Sequence, residues 1–250
     1  MPGMKIAEIV PVSCLELTAD NYYHMCLAHL VLEDYRYSSF FKRMSKEGKY
    51  VIMDNGAAEG KNLSDKELLK AYEEISPSEI ILPDILKDGE RTLFRSLNFY
   101  EDNRKYIENY NIMIVPQGKD RTEWLEYKDK MLDEIPANCI GVPKWLGSGK
   151  RFSRISIMES MWRCHIPIHL LGCSEGPSII NECYRANAKV RSCDSAFAYI
   201  CAKTGVDHIG RFTTRPSGEI RFLNDPKMDN LEKLMEEFEN EAGVINNKEA

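Results

Sequence analysis

The sequence predicts a parallel α/β fold and, among such folds, a single-domain (β/α)8, TIM-like barrel. Two observations support this prediction. Short runs rich in Ile, Val and Leu alternate with longer segments of helical periodicity, and such apolar runs are typical of strands covered on both faces. The turn after the first run reads PVSCLELT, which lacks the GxGxxG pattern of a doubly wound open sheet.

Seven runs are predicted to form strands, because each is a few residues long and is closed by Gly, Pro or a polar residue. In chain order they read KIAEIVPV, YVIMDNG, EIILPDIL, IMIVPQG, CIGVPK, IPIHLLGC and KVRSCDS. An eighth strand is expected in VDHIGRF or EIRFL. The segment NYYHMCLAHLVLED, with His24 and His29, is expected to form a helix on the barrel rim.

The segments between the strands are predicted helices. Ser64 and Glu67 form a capping-box pattern at the start of LSDKELLKAYEEI. Asp88 is the expected N-cap of the next helix, and Pro177 suits the first position of the helix GPSIINECYRA. The segments DRTEWLEYKDKMLDEI and SRISIMESMWRC are amphipathic, and their tryptophans are expected in the core: Trp124 and Trp162.

One catalytic domain is predicted over residues 1–225, followed by an acidic helix and a polar tail over residues 226–250. The hydrophobic share of 43% and the charged share of 29% are ordinary for a soluble globular protein. The net charge of −6 provides no global basic field, so contact with nucleic acid needs a local basic patch.

The cellular compartment is predicted to be the cytoplasm. The first residues, MPGMKIAEIVPV, lack the apolar core of a secretory signal, and no run approaches the roughly 18 apolar residues of a membrane span. The eight cysteines show no CxxC spacing, and several lie in apolar runs. We therefore expect reduced, buried thiols rather than a disulfide framework.

Polar residues and glycines stand where the predicted strands end, and chemistry in such barrels is built at the carboxyl ends of the strands. Three of these residues are aspartates from separate strands, which are expected to converge on one pocket. The candidate positions are Asp54, Asn55, Asp84, Gln117, Gly141, Gly172 and Asp194.

Two carboxylates suit substitution at an anomeric carbon, where one attacks the carbon and the other handles a proton. The remaining groups suit a purine edge, because a carboxylate accepts from the N1–H and 2-amino groups of guanine and an amide donates to O6. His165 and His169 are four residues apart, but Pro167 spoils a helical metal-binding pair. An unrelated hydrolase, such as a glycosidase or a metal-dependent enzyme, stays open at this point.

Six motifs resemble, in order over residues 5–200, those of the tRNA-guanine transglycosylases and their relatives, which insert 7-deazaguanines into nucleic acid. DNGAAEG resembles the family's DSGGFQ, PDIL its second aspartate, and VPQG its VQGG. IGVP is similar to the following Gly-containing loop and HLLGCS to YLxGVG. VRSCDSAF resembles the GxDxFD segment that carries the nucleophile.

The resemblance implies a role for each candidate. Asp194 is the nucleophile that bonds to C1′ of the target nucleotide, and Asp54 is the general acid and base for the departing and incoming bases. The other five bind the base: Asp84 and Gln117 read its edge, with Asn55 beside them, the Gly141 backbone polarises O6, and Gly172 leaves room for the base.

The sequence also departs from the family pattern. The tRNA enzymes carry a CxCxxC…H zinc site after the nucleophile, whereas the corresponding segment here offers only Cys201 and His208. No metal and no cofactor are therefore predicted. Ala57, Ala58 and Glu59 replace the Gly and Phe of DSGGFQ.

A short chain without the zinc site resembles the DNA-modifying members that bacteriophages encode. The resemblance implies exchange of guanine in DNA for preQ0 or a derivative, protection of phage DNA from host restriction, and a location in the host cytoplasm. The same chemistry on tRNA and a catalytically inert nucleic-acid-binding barrel are the alternatives.

A DNA substrate must present its guanine flipped out of the duplex or single-stranded. The segments PKWLGSGKRFSR and GRFTTRPSGEIR supply cations for phosphates and one tryptophan to stack or wedge. The predicted nucleic-acid contacts are Lys144, Trp145, Lys150, Arg151, Arg154, Arg211 and Arg215.

Overall fold

A computed structural model describes residues 4–144, 154–210, 216–244 and 248 of the chain. The strands in this part are β1 (Lys5–Glu8), β2 (Tyr23–Leu27), β3 (Tyr50–Asp54), β4 (Glu79–Ile81), β5 (Asn111–Ile114), β6 (Cys139–Val142), β7 (Ile168–Leu170) and β8 (Val190–Ser195). They form one eight-stranded sheet in the order β1-β8-β7-β6-β5-β4-β3-β2. Pairing is parallel between β1 and β8 and from β3 through β6. The fold class is that of a (β/α)8, TIM-like barrel, as the sequence predicts.

The helices that alternate with these strands begin largely where the sequence indicates. Ser64 and Glu67 form the complete capping box of the third helix, and the Asp88 side chain accepts from Arg91 N at the start of the fourth. Pro177 opens the seventh helix. The α-helices in the described part of the chain are α1 (Ala28–Glu33), α2 (Tyr35–Lys46), α3 (Asp65–Ile75), α4 (Gly89–Ile107), α5 (Arg121–Glu134), α6 (Arg154–Ser160), α7 (Pro177–Ala186), α8 (Phe197–Lys203) and α9 (Leu231–Ala242).

The eighth strand is β2, so its predicted place in VDHIGRF or EIRFL is wrong. The described residues of those two segments form no strand. NYYHMCLAHLVLED, expected as a single helix, divides into β2 with His24 and α1 with His29. All five residues of β2 are buried, and a continuous buried run carries no period that separates strand from helix.

The contacts divide the chain into two compact units. Unit 1 comprises Met1–Met25, Gly147–His165 and His169–Ala250, and unit 2 comprises Cys26–Leu146 and Ile166–Ile168. In unit 1, α9 packs against α7 and α8, with the rings of Phe197 and Phe238 stacked at a centroid distance of 5.0 Å. In unit 2, the fully buried apolar side chains of β3, β4 and β5 include Val51, Ile52, Met53, Ile80, Ile81, Met113 and Ile114.

The predicted burial is confirmed for most of the cysteines and for Trp124, and it is wrong for Trp162. All eight cysteines are free and all but Cys164 are buried, as predicted. Trp124 is fully buried, also as predicted, but Trp162 is 66% exposed. Trp162 lies beyond the last residue of α6, and its ring contacts the Arg163 guanidinium instead of the core, at 4.4 Å. Within the described residues, no helix combines the length and the apolar character needed to cross a membrane.

Candidate active site

Three of the predicted site residues form a hydrogen-bonded cluster in unit 2. Asp84 Oδ1 accepts from Asn55 Nδ2 at 2.8 Å, and Asp84 Oδ2 accepts from Gln117 Nε2 at 2.6 Å. Asn55 Nδ2 also donates to Leu82 O, and Gln117 Oε1 accepts from Lys87 N. The residues Asp84 and Gln117 follow the ends of β4 and β5 by three positions each. The carboxylate is therefore held between two amides whose own orientations are fixed by the backbone.

Burial raises the pKa of the Asp84 carboxyl group from its ordinary value of 3.8 to about 6, although the hydrogen bonds from Asn55 and Gln117 act in the opposite direction. Removing a carboxylate from water disfavours its charged form, and donors to that form favour it. At neutral pH the group remains mostly ionised and keeps its capacity to accept hydrogen bonds.

Asp54 ends β3 and begins a tight turn in unit 2. Its Oδ2 accepts from Gly56 N at 3.1 Å, and Asn55 Oδ1 accepts from Ala57 N at 2.8 Å. Asp and Asn favour such turns because their short side chains bond the backbone two residues later. Gly56 has φ +84°, and a Cβ there would lie 3.1 Å from His29 Nδ1. The turn thus requires glycine both for its backbone angle and for the close approach of a buried histidine.

Asp194 is the penultimate residue of β8 and is 8% exposed. Its Oδ1 accepts from Gly172 N at 2.8 Å and contacts His169 Nε2 at 3.2 Å. Within the described residues, no donor contacts Oδ2, and the side chain keeps 11% of its surface exposed. The carboxylate thus has one oxygen held in place and one oxygen without a hydrogen-bond partner from this part of the chain, which is a suitable arrangement for a nucleophile.

Gly172 has a role that the sequence does not predict. The resemblance implies that it leaves room for a base, whereas the structure uses its backbone N–H to hold Asp194 Oδ1. Its φ is +59°, a left-handed conformation that side chains disfavour. The Cys173 N–H donates to the Asp194 carbonyl at 2.8 Å, so the turn after β7 fixes both the backbone and the side chain of Asp194.

Three residues of this cluster were missed by sequence reasoning: His169, Ser192 and Tyr23. His169 Nδ1 lies 2.8 Å from Ser192 Oγ, and Ser192 Oγ lies 2.8 Å from Tyr23 Oη. One signal could have found Ser192, because it stands two residues before Asp194 and therefore on the same face of β8. Tyr23 carried no such signal, since its strand was taken for a helix.

The remaining predicted contacts are placed as follows. Gly141 is buried within β6, and Lys144, two residues after the end of that strand, is exposed. Arg154 is 2% exposed. Its guanidinium donates to Cys173 Sγ and Leu171 O and lies 3.7 Å from Glu175. The predicted surface contact with phosphate therefore does not hold for Arg154. The other predicted contacts lie outside the described residues: Trp145, Lys150, Arg151, Arg211 and Arg215.

No family model matches the chain, and no curated protein is significantly similar to it. In the described part of the chain, no three His, Cys, Asp or Glu side chains are arranged to hold a metal ion. The features of the chain that bear on its function are therefore the fold and two side-chain clusters. The Asp84 cluster can accept hydrogen bonds from a polar ring edge, and the Asp194 cluster presents a carboxylate oxygen for attack.

Proposed function

We propose that the protein is a pentosyltransferase that exchanges guanine in DNA for a free 7-deazaguanine such as preQ0 or a derivative. The observation that carries the proposal is the Asp194 carboxylate at the end of β8. Two contacts hold its Oδ1, whereas no described residue donates to its Oδ2. A carboxylate oriented in this way can attack carbon without first breaking a hydrogen bond at the attacking oxygen.

The first half of the proposed reaction forms a covalent ester. Asp194 Oδ2 bonds to C1′ of the target nucleotide as the bond from C1′ to guanine N9 breaks. The bonding electrons leave with the base, and the proposal assigns to Asp54 the proton that neutralises guanine. In the second half, the incoming base gives its N9 proton to Asp54 and attacks C1′, and the ester electrons return to Asp194. Such a double displacement divides one difficult substitution into two easier ones.

The hydrogen-bonding capacity of the Asp84 cluster supports recognition of a guanine-like base. Each Asp84 oxygen accepts one hydrogen bond from an amide and keeps a second lone pair for the N1–H or the 2-amino group of the base. A pKa of about 6 leaves Asp84 mostly ionised at neutral pH. The proposal therefore assigns base recognition to the Asp84 cluster.

DNA is proposed as the substrate from the resemblance to those family members that have no zinc site. The net charge of −6 means that any attraction for phosphates must come from local cations. The exposed Lys144, just after the end of β6, is one such cation within the described residues.

The test is release of labelled guanine from duplex and single-stranded DNA in the presence of preQ0, with tRNA assayed in parallel. The proposal predicts release from DNA by the wild type and loss of release in Asp194→Asn. Asp229→Asn is the matched control, because Asp229 is an exposed aspartate of the same unit. Equal release by wild type and Asp194→Asn contradicts the assigned nucleophile. Release from tRNA alone contradicts the assigned substrate.

A further inference from the structure

A continuous chain of hydrogen bonds begins at the candidate nucleophile and runs into the interior of unit 1. Asp194 Oδ1 contacts His169 Nε2 at 3.2 Å, His169 Nδ1 contacts Ser192 Oγ at 2.8 Å, and Ser192 Oγ contacts Tyr23 Oη at 2.8 Å. His169 and Ser192 are fully buried, and Tyr23 is 5% exposed. The rings of Tyr23 and His169 are also stacked, with centroids 6.4 Å apart and planes at 25°. None of the three inner residues belongs to the predicted site.

The hydrogen-bonding capacity of each group fixes the direction of this chain. A carboxylate can only accept, so the Nε2 atom of His169 must carry the proton that Asp194 Oδ1 receives. In a neutral imidazole the other nitrogen then accepts, so Nδ1 receives the hydroxyl proton of Ser192. Ser192 has no second proton, and it therefore accepts from the Tyr23 hydroxyl. Every donor in the chain points toward Asp194.

The sequence places these groups by strand alternation. Ser192 and Asp194 are two residues apart on β8 and share one face of the sheet. Their parallel partners on β1 are Lys5 and Ala7, and the small Ala7 stands opposite the carboxylate. His169 is the middle residue of β7.

We propose that His169 is a positioning residue for Asp194, held as the Nε2–H tautomer by Ser192 and Tyr23, and that it assists cleavage of the nucleotide ester. This inference rests on the proposed function. It reverses the arrangement of a serine-protease triad, in which the carboxylate orients the histidine. Here the histidine orients the carboxylate, and the serine and tyrosine orient the histidine.

The effect of His169 differs between the two halves of the reaction. In the ester, Oδ1 is a carbonyl oxygen with little charge. As the bond from C1′ to Oδ2 breaks, negative charge returns to both carboxylate oxygens, and the N–H groups of His169 and Gly172 stabilise it at Oδ1. Removing the His169 donor should therefore slow ester breakdown more than ester formation. The expected result is accumulation of the covalent intermediate.

Two substitutions at one position test this effect. In His169→Gln the amide nitrogen can occupy nearly the position of Nε2 and still donate to Asp194, whereas in His169→Asn it lies near the position of Nδ1 and cannot reach. We expect His169→Asn to lower kcat for exchange by about 10- to 100-fold, the range for a hydrogen bond to a charged group. KM for the incoming base should change little, and the ester should accumulate. His169→Gln should restore most of the rate.

A milder variant covers the case in which both changes at His169 prevent folding. Tyr23→Phe removes one hydroxyl from the far end of the chain and leaves the ring in place. We expect kcat to fall by about 2- to 10-fold, as for a neutral hydrogen bond, with KM unchanged. Nitrogen-15 NMR of the wild type should show a proton on Nε2 and none on Nδ1 of His169.

The outcomes separate the inference from the proposed function. A proton on Nδ1 of His169, or on both nitrogens, overturns the inference whether or not the protein is an enzyme. Active wild type together with folded His169→Asn and Tyr23→Phe variants that match its kcat and its ester fraction also overturns it, while the proposed function stands. Wild type that exchanges no base contradicts the proposed function, and the NMR measurement then still decides the hydrogen-bond direction.

Discussion

The Asp84 carboxyl group links stability to pH, because its pKa is raised from 3.8 to about 6 in the folded protein. Below about pH 3 the group is mostly protonated in both folded and unfolded chains and favours neither. Above about pH 7 it is mostly ionised in both, and the folded state bears the cost of burying the charge, about 3 kcal/mol. Asp84 therefore lowers the stability of the fold progressively as pH rises from about 3 to about 7, most steeply between the two pKa values.

Replacing Asp84 by Asn should remove this linkage. We expect the free energy of unfolding of the wild type, relative to that of Asp84→Asn, to fall by about 3 kcal/mol between about pH 3 and about pH 7. Urea unfolding at several pH values measures this difference, and comparison across pH cancels the constant effect of the new amide. A difference that stays constant with pH would show that the Asp84 carboxyl group titrates normally.

Gly118 directly follows Gln117, and no side chain fits at its position. A Cβ there would lie 2.7 Å from Trp124 N and 3.0 Å from Glu123 C, both backbone atoms of α5. Gly118→Ala should therefore lower the free energy of unfolding by about 1–3 kcal/mol. The same change should disturb the hydrogen bond from Gln117 to Asp84. An unchanged urea midpoint would show that the loop relaxes without cost.

For single residues, the sequence predicts the candidate site positions but not the side chains that form hydrogen bonds with them. Asp54, Asp84, Gln117 and Asp194 were found because they stand where apolar runs end. The histidine that contacts Asp194 was examined only as a helical metal ligand, and it belongs to a strand. Partners that come from distant segments, such as Tyr23 beside Ser192, become visible only when the strand order is known.

Among the elements, α3 shows a local signal that the structure confirms in full. Ser64 Oγ accepts from Glu67 N, and Glu67 Oε2 accepts from Ser64 N at 2.8 Å. Ser64→Ala should lower the free energy of unfolding by about 1 kcal/mol. The Glu67 N–H loses its acceptor, and the Glu67 carboxylate loses the hydrogen bond from the Ser64 hydroxyl. Ser217→Ala, at an exposed position, is the control. Equal urea midpoints for the two variants would contradict the contribution of the cap.

Strand β2 shows where local signals fail. Capping residues marked α3, α4 and α7 because each begins with a residue that bonds the helix backbone or fits its first turn. Nothing comparable marks the junction of β2 and α1, where the N-cap Leu27 makes no side-chain cap. Burial of the whole strand follows from its packing in the sheet, a property of tertiary structure that the local pattern does not encode.

For the whole molecule, the sequence predicts the fold class because the alternation of runs and helices extends along most of the chain. The predicted domain boundary after residue 225 stays a prediction. Helix α9 lies beyond that boundary and packs against α7 and α8. Its Leu231, Leu234 and Phe238 are fully buried. The C-terminal helix thus contributes to the core of unit 1.

Phe238→Ala should therefore destabilise unit 1 substantially. The ring is fully buried and stacks on Phe197, and truncation of such a side chain costs about 3–5 kcal/mol. Circular dichroism during urea unfolding measures the loss, with Glu236→Ala on the same helix as the control. A loss no greater than that of Glu236→Ala would show that α9 is not needed for the fold of unit 1.

The central claim, a covalent bond between Asp194 and a sugar carbon, can be measured directly. The protein is incubated with guanine-containing DNA without an incoming base, denatured in acid, digested with protease and nuclease, and analysed by mass spectrometry. The account predicts a deoxyribosyl adduct on the peptide that contains Asp194, together with an equal amount of free guanine. Guanine released without an adduct, an adduct on another residue, or neither product would contradict it.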